Sequence, residues 1–425
     1  MVVQVAIIRP GPIVGKMVHP YLDRRNGKQP VDYIHPSFEP VLSRTLGVPL
    51  FQEQVLKMAM VIADFNGSEA EELRRAMSFH RSEERMQRAL GKLRAAMTKR
   101  EVTHDVQERI VNSIQSFALY GFPESHAISF ALLAYASVWL KVHRGPEFYA
   151  ALLNCQPMGF YSSATLVHDA KHHGLKILPV CAVNSEVKCT VVDDKTIRLG
   201  LNQLKGIDRT ALLSMVAVRC QAAWKDLDDL LTRCSLPKDA RRALAKAGAF
   251  NALGHHRRSA LWRSEAEVHH DLFFGVETNE GDSPLAMMKP EERLEADYQT
   301  TRMTVGPHPM LLVRAAIPQA IKAINLPFMR HGQGVTLIGM VICRQRPGTA
   351  KGHCFISLED ETGISNAFVP SALFEAKRLI ITQEPFLEIR GMLQHSEGVI
   401  TLLAGTVLPF RYPAISSQVQ SHDFR

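Results

Sequence analysis

The sequence predicts a multidomain α+β protein, mainly α-helical over its first 262 residues and ending in a five-stranded β-barrel. Three observations carry this expectation. The 425 residues suffice for roughly two to four domains, each with its own core. Apolar positions recur at helical spacing through most of the first 262 residues, and after residue 331 they give way to short β-prone runs. A composition of 46% apolar and 22% charged residues excludes a wholly disordered or fibrous chain. The seven cysteines lie singly, with no C-x-x-C. That argues against a disulfide scaffold or a zinc ribbon and suits a reducing, cytoplasmic setting.

The elements follow in order. The opening MVVQVAIIRPGP lacks a basic segment and a small-residue cleavage site, and reads as a strand entering a turn from the middle of a longer protein. In 52–65, Val55, Met58, Ala59 and Ile62 share one helical face. Ser68 and Glu71 have the spacing of a capping box, starting the helix that holds Leu73-Arg74-Arg75-Ala76-Met77. Ser82 is placed to cap a helix over 83–99. Val106, Ile110, Ile114 and Phe117 mark another, stopped by Gly121. The most apolar segment, 127–142, includes Ser129, Ser137 and Lys141. It is too short and polar to span a bilayer, so a buried helix is expected, and no membrane partner.

On the 83–99 helix, Met86, Leu90, Leu93 and Met97 fall on one side, with Arg85, Arg88, Lys92 and Lys99 nearly opposite. That basic row reads either as a solvated face or as a ridge facing nucleic-acid phosphates. The net charge of +8 favours a polyanion partner only weakly, although residues 301–350 carry six basic and no acidic side chains. A helix–turn–helix pattern occupies 199–262, after a connector over 156–198 and before a linker over 263–330. The last runs, 335–343, 353–359, 363–369, 385–393 and 399–407, have a hairpin turn at Asp360-Glu361-Thr362-Gly363 and a helical insert at 371–378. Five strands with a helix between the third and fourth fit an OB-type barrel, whose open face binds oligonucleotides; a generic small barrel is the alternative.

Arg9-Pro10-Gly11-Pro12, Leu50-Phe51-Gln52-Glu53-Gln54, Leu73-Arg74-Arg75-Ala76-Met77 and Tyr120-Gly121-Phe122-Pro123-Glu124-Ser125-His126 occur in one order. Together they resemble the fingers region of bacterial C-family replicative DNA polymerases. With Asn154-Cys155-Gln156-Pro157-Met158-Gly159-Phe160-Tyr161, the chain is more similar to their error-prone, damage-tolerant branch. The resemblance runs from residue 1 to about 412. It implies fingers over 1–155, a helix-hairpin-helix region over 199–262, an OB-fold over 331–412 and a tail over 413–425.

The resemblance also implies roles. Arg74 and Arg75 would meet the triphosphate of an incoming dNTP, to which a guanidinium fork is well matched. Tyr120, Phe122, Ser125 and His126 would line the nascent base pair. Read without the resemblance, the arginines are surface partners of Glu71 or Glu72, the aromatics are core and His126 is a cap. Two departures stand out. Ser78-Phe79-His80 replaces the family's usual Gly and Lys, so His80 offers the triphosphate an imidazole instead of a fixed cation. Gly206-Ile207-Asp208 puts a carboxylate where a Gly-x-Gly hairpin would meet DNA phosphate, leaving Lys205 and Arg209 as candidate contacts.

Polymerisation in this family is two-metal phosphoryl transfer on palm carboxylates. No Asp-x-Asp pair falls on a plausible palm strand: Asp226 and Asp228 lie in the hairpin region and Asp193-Asp194 in a turn. The family's palm precedes the Arg-Pro-Gly-Pro segment. The expectation is therefore the carboxy-terminal portion of an error-prone DNA polymerase, non-catalytic alone, with Mg²⁺ needed only by a separate palm. Template-primer or single-stranded DNA and dNTP are the expected partners, and family membership adds a sliding clamp and mutagenesis accessory proteins. The alternatives are a truncated DNA-binding protein and an unrelated OB-containing RNA-binding factor.

Overall fold

The computed structural model describes residues 1–7, 18–76, 83–118, 122–159, 161–265, 283–396, 398–411 and 422–424. The chain divides into two compact units, Met1–Trp139 and Leu140–Arg425.

The first unit is helical. In Gln52–Ala63 the predicted face is buried, with Val55, Met58 and Ala59 wholly enclosed. It packs with Leu73 of Gly67–Ala76, Leu90, Leu93 and Met97 of Glu83–Lys99, and Ile110 and Ile114 of His104–Ala118 in one core. Gln54 is buried because it is a hub. Its Oε1 accepts the N–H groups of Leu50 (2.9 Å) and Phe51 (3.1 Å), and its Nε2 donates to Thr45 Oγ1 (2.9 Å).

Three expectations are corrected in this unit. Val2–Ile7 is a helix and not a strand: Ala6 and Ile7 are buried among Tyr21, Leu50 and Phe51, and this contact outweighs the β preference of the valines. The cap of Gly67–Ala76 is Asn66, not Ser68; Asn66 Oδ1 accepts the N–H groups of Ser68 (2.9 Å) and Glu69 (3.0 Å) while Glu69 returns a bond to Asn66 N–H. The box thus begins two residues earlier, which frees Glu71 for the arginines. The apolar helix Glu124–His143 forms as expected but is not buried; only Ala127 and Ala131 are. It is also the one described helix long and apolar enough to cross a membrane.

The second unit contains two β-structures. Strands β1 (Lys176–Leu178), β2 (Thr190–Asp193) and β3 (Thr196–Arg198) form a small sheet within the stretch read as a connector, with β3 central. It shares a core with the helices Gly145–Asn154, Ser163–His172, Arg209–Gln221, Leu227–Arg233 and Lys238–Ala247. The barrel is β4 (Gly334–Gln345), β5 (Cys354–Asp360), β6 (Gly363–Val369), β7 (Phe386–Ser396) and β8 (Val399–Pro409). Neighbours are antiparallel except β6 and β8, which run parallel and, with β4 pairing both β5 and β7, close it. Ser371–Ala376 and Arg378–Gln383 lie between β6 and β7 and put Phe374 and Ile381 into the barrel core. A sixth strand, β9 (His422–Phe424), pairs with the end of β4 inside the expected tail.

Closure depends on glycine at tight approaches. A Cβ on Gly391, beside the β7 bulge, would lie 2.0 Å from the Leu403 carbonyl oxygen; one on Gly339 would lie 2.9 Å from that of Glu359. In the stretch read as a linker, Pro290–Thr301 and Pro309–Val313 cap the barrel, burying Leu294, Tyr298 and Met310 against Ile338, Met340 and Phe386.

Candidate nucleic-acid interface

The Gly67–Ala76 helix buries Ala70, Leu73 and Ala76, which turns the intervening Arg74 and Arg75 towards solvent. Both are held by one carboxylate. Arg74 donates from Nε (2.8 Å) and Nη2 (2.7 Å) to the two oxygens of Glu71, and Arg75 Nε to Glu71 Oε1 (3.1 Å). These bonds, Arg74's foremost, draw the Glu71 carboxyl down to about 2. The cluster carries two cations on one anion. An exposed helical ion pair of this kind is weak, so an incoming polyanion displaces Glu71 at little cost.

Glu53 ties this helix to the second predicted motif. Its charge acts on Arg74, and its Oε2 accepts the N–H of Glu124 (2.8 Å) at the start of Glu124–His143. Gln52 N–H donates to the Phe122 carbonyl (3.0 Å), so Leu50-Phe51-Gln52-Glu53-Gln54 is the clamp that seats Phe122 to His126. The half-buried Phe122 ring stands edge-on to exposed His126 at 5.2 Å, and Ser125 is exposed beside it. The anion-attracting first turn of this helix is already served by Glu53, so Ser125 and His126 would meet a nucleotide through their side chains. Tyr120 and His80 lie outside the described residues, as do Ser82 and Gly121.

The basic row on Glu83–Lys99 is exposed as predicted. Lys92 is committed to Glu72 (2.6 Å), and Arg88 lends the same carboxylate its charge. Arg85 and Lys99 pair with no described residue, so they are the row's available cations. In the hairpin, Gly206 takes a left-handed φ of 74° and Asp208 caps Arg209–Gln221, accepting the Thr210 N–H at 3.0 Å. Asp208 is therefore structural. Arg209 is exposed, whereas Lys205 turns inward: its Nζ donates to the Tyr298 carbonyl (3.3 Å), and burial lowers its pKa.

A feature not singled out in the sequence lies on the barrel. Phe355 of β5 faces Phe368 of β6 across the ladder, both pointing outward between core neighbours Cys354 and Ile356, and Ala367 and Val369. Their rings are 5.4 Å apart, and His353 stands 4.9 Å from Phe368. Phe355 is 41% exposed. The register continues the strip through Leu403 of β8 and Met392 of β7, with exposed Arg390 nearby. The signal was present in the hairpin turn: counting outward from Asp360 and Gly363 sets 355 opposite 368.

One group of metal-ligand type occurs among the described residues, the buried His168, His308 and Glu359, whose ligand atoms lie within 4.8 Å. His168 Nδ1 is 3.1 Å and His308 Nε2 3.9 Å from Glu359 Oε2. His308 Nδ1 accepts the Met310 N–H (3.1 Å), so in the neutral ring Nε2 carries the proton, buried and beyond hydrogen-bond reach of Glu359. A metal there would displace that proton and leave Nδ1–H against another N–H, the reverse of a ligating histidine's usual outer bond. Burial alone would raise the Glu359 carboxyl, but the imidazoles outweigh it and lower it, so Glu359 is the anion of a hydrogen-bonded clasp. Nor do the described acids fit magnesium, which wants an octahedron of oxygens. Glu71 is bound by two arginines, Glu53 holds a helix end, Asp226 caps Leu227–Arg233 and Asp228 pairs with Arg263.

Residues 1–101 match the family described as bacterial DNA polymerase III alpha subunit finger domain, and residues 174–260 match the helix-hairpin-helix motif. The whole chain is 40% identical to error-prone DNA polymerases of Anaeromyxobacter dehalogenans and Alkalilimnicola ehrlichii, covering 39% and 42% of them. It is 41% identical, over 95% of its length, to error-prone DNA polymerase 2 of Agrobacterium fabrum. The chain thus spans about two-fifths of the length of the curated relatives it matches, in their carboxy-terminal part. A solved asparaginyl-tRNA synthetase from Pyrococcus horikoshii is similar over 24% of each chain at 20% identity and a TM-score of 0.19, too partial a likeness to carry a conclusion.

Proposed function

We propose that the chain supplies the nucleotide-approach and template-binding surfaces of an error-prone DNA polymerase and is not catalytic by itself. The observation that carries this reading is the end-to-end similarity to the carboxy-terminal part of such enzymes. The surfaces above give it physical content. Arg74 and Arg75 are exchangeable cations for a triphosphate. Phe122, Ser125 and His126 flank that position, while Arg85, Lys99 and Arg209 are available to backbone phosphate. The aromatic strip of the barrel offers stacking to unpaired bases. In this reading DNA and dNTP are the ligands, and a sliding clamp and mutagenesis accessory proteins are partners of the assembled enzyme.

The described carboxylates do not fit a two-metal centre, so no phosphoryl-transfer step is assigned to them. That same commitment of Glu71, Glu53, Asp226 and Asp228 to structural partners favours the second reading, a DNA-binding protein with no synthetic role. A dNTP experiment separates the two. Under the first reading, binding of dNTP to the chain with template-primer weakens on Arg74→Ala; under the second, Arg74→Ala changes nothing while DNA binding persists.

A further inference from the structure

We infer that Arg302 is a contact for the sugar–phosphate backbone of duplex DNA, standing in at the Gly206 hairpin for Lys205, which turns inward. The inference rests on the reading of the 199–262 region as DNA-binding and adds to it a residue from outside that region.

The first observation is a strained backbone. Arg302 follows the Pro290–Thr301 helix directly and caps it: its N–H donates to the Tyr298 carbonyl (3.1 Å), and its φ is 61°. A helix that ends in this left-handed conformation usually does so on glycine, because a Cβ is crowded there. Packing does not offset the strain. Arg302 is exposed, and its guanidinium pairs with no described residue. Arg257 and Arg258, which meet the same helix, are both committed, to Asp297 (2.6 Å) and Glu292 (2.7 Å). A strained cation that the surrounding fold does not use points to a use outside the fold.

The position of Arg302 says which use. The hairpin is strapped to the last turn of Pro290–Thr301, with Lys205 N–H donating to the Thr300 carbonyl (2.8 Å) and Lys205 Nζ to the Tyr298 carbonyl (3.3 Å). These bonds set Arg302, two residues beyond Thr300, beside the hairpin, where its charge joins burial in lowering the Lys205 pKa. Gly206 is exposed, and a Cβ there would meet nothing within 4 Å, so the hairpin backbone is open to close approach. Asp208, the acid of the turn, is taken up by the N–H and hydroxyl of Thr210. Arg209 is exposed at the start of the helix that follows. The open hairpin is thus served by two free guanidinium groups, Arg302 and Arg209, while the lysine of the turn is spent on the fold. A guanidinium presents the planar fork of donors that a phosphate accepts.

The test is fluorescence anisotropy of the whole chain with a labelled duplex oligonucleotide over a series of NaCl concentrations, together with thermal melting. Arg302→Gly is expected to raise the melting temperature, because glycine accepts the left-handed cap. The same variant should bind severalfold more weakly, with the log–log salt slope flattened by about 0.9, the share of one phosphate contact. Arg302→Lys keeps a cation and is expected to keep the slope and the melting temperature of the unaltered chain. Lys205→Ala is expected to lower the melting temperature and leave the slope unchanged. An Arg302→Gly slope equal to that of the unaltered chain would overturn the inference, as would a slope flattened in Lys205→Ala instead. Either result leaves DNA binding by this region standing. Absence of duplex binding by the unaltered chain would overturn that reading and the inference with it.

Discussion

Replacing Phe355 by Ala isolates the barrel's stacking surface from its fold. The ring is 41% exposed, and its structural neighbour, the Phe368 ring, stays in place against His353. The barrel core beneath, Cys354 and Ile356, is untouched, so the loss of stability should stay near the ±0.5 kcal/mol of surface substitutions. Stacking of one base on an aromatic ring is worth about 1–3 kcal/mol, which converts to about fivefold to 150-fold in affinity. Fluorescence anisotropy with a labelled single-stranded oligonucleotide, at several salt concentrations, measures this directly. Phe355→Ala is expected to lower affinity within that range and to leave the salt dependence unchanged, because no phosphate contact is lost. Arg390→Ala should do the opposite, flattening the log–log salt slope by about 0.7 if it meets one phosphate. Unchanged affinity in Phe355→Ala, or a change in salt slope equal to that of Arg390→Ala, would refute stacking on this face.

Other outcomes follow from the same geometry. Glu71→Gln removes the shared anion and should raise the affinity for inorganic triphosphate, read by calorimetry, with stability changing little. Because the Glu71 carboxyl is lowered to about 2, its contribution is complete above the ordinary carboxylate range and is lost as pH falls towards 2. Glu359→Ala leaves the buried His168 imidazole without its hydrogen-bond partner and should cost about 1–3 kcal/mol, read as a lower urea midpoint. The Glu359 carboxyl is also lowered, so the clasp contributes above the ordinary carboxylate pKa and weakens as pH falls below it. Added Zn²⁺ should leave the melting temperature of the unaltered protein unchanged; a saturable rise lost in His168→Ala would show that the clasp holds metal. Gly391→Ala sets a methyl carbon 2.0 Å from a backbone oxygen and should melt the barrel early in hydrogen exchange.

Much of this architecture was legible because the barrel strands alternate and the hairpin turn fixes their register. The five runs emerge within a few residues of expectation, and the predicted core faces at 52–65 and 83–99 are the observed ones. What local pattern misjudged was decided by distant contacts. Val2–Ile7 carries three valines yet is helical because Tyr21 and Phe51 receive it as a helix. Strands β1 to β3 have three or four residues each, too few for a period to be visible. At the site, Arg74 was found through its motif, but its tie to Glu71 was one of two options until the cap at Asn66 set the helix phase. Lys205 gave no sequence sign of turning inward, because its acceptor lies more than ninety residues away. The 127–142 segment was read as buried from composition alone, and composition does not say what buries it.

Primer extension tests the central claim most directly. The purified chain, with a primed template, all four dNTPs and Mg²⁺, is expected to bind the DNA and to add no nucleotide over many hours. Template-directed extension that is lost in Arg74→Ala would mean that this chain holds its own catalytic metal centre, and would contradict the account.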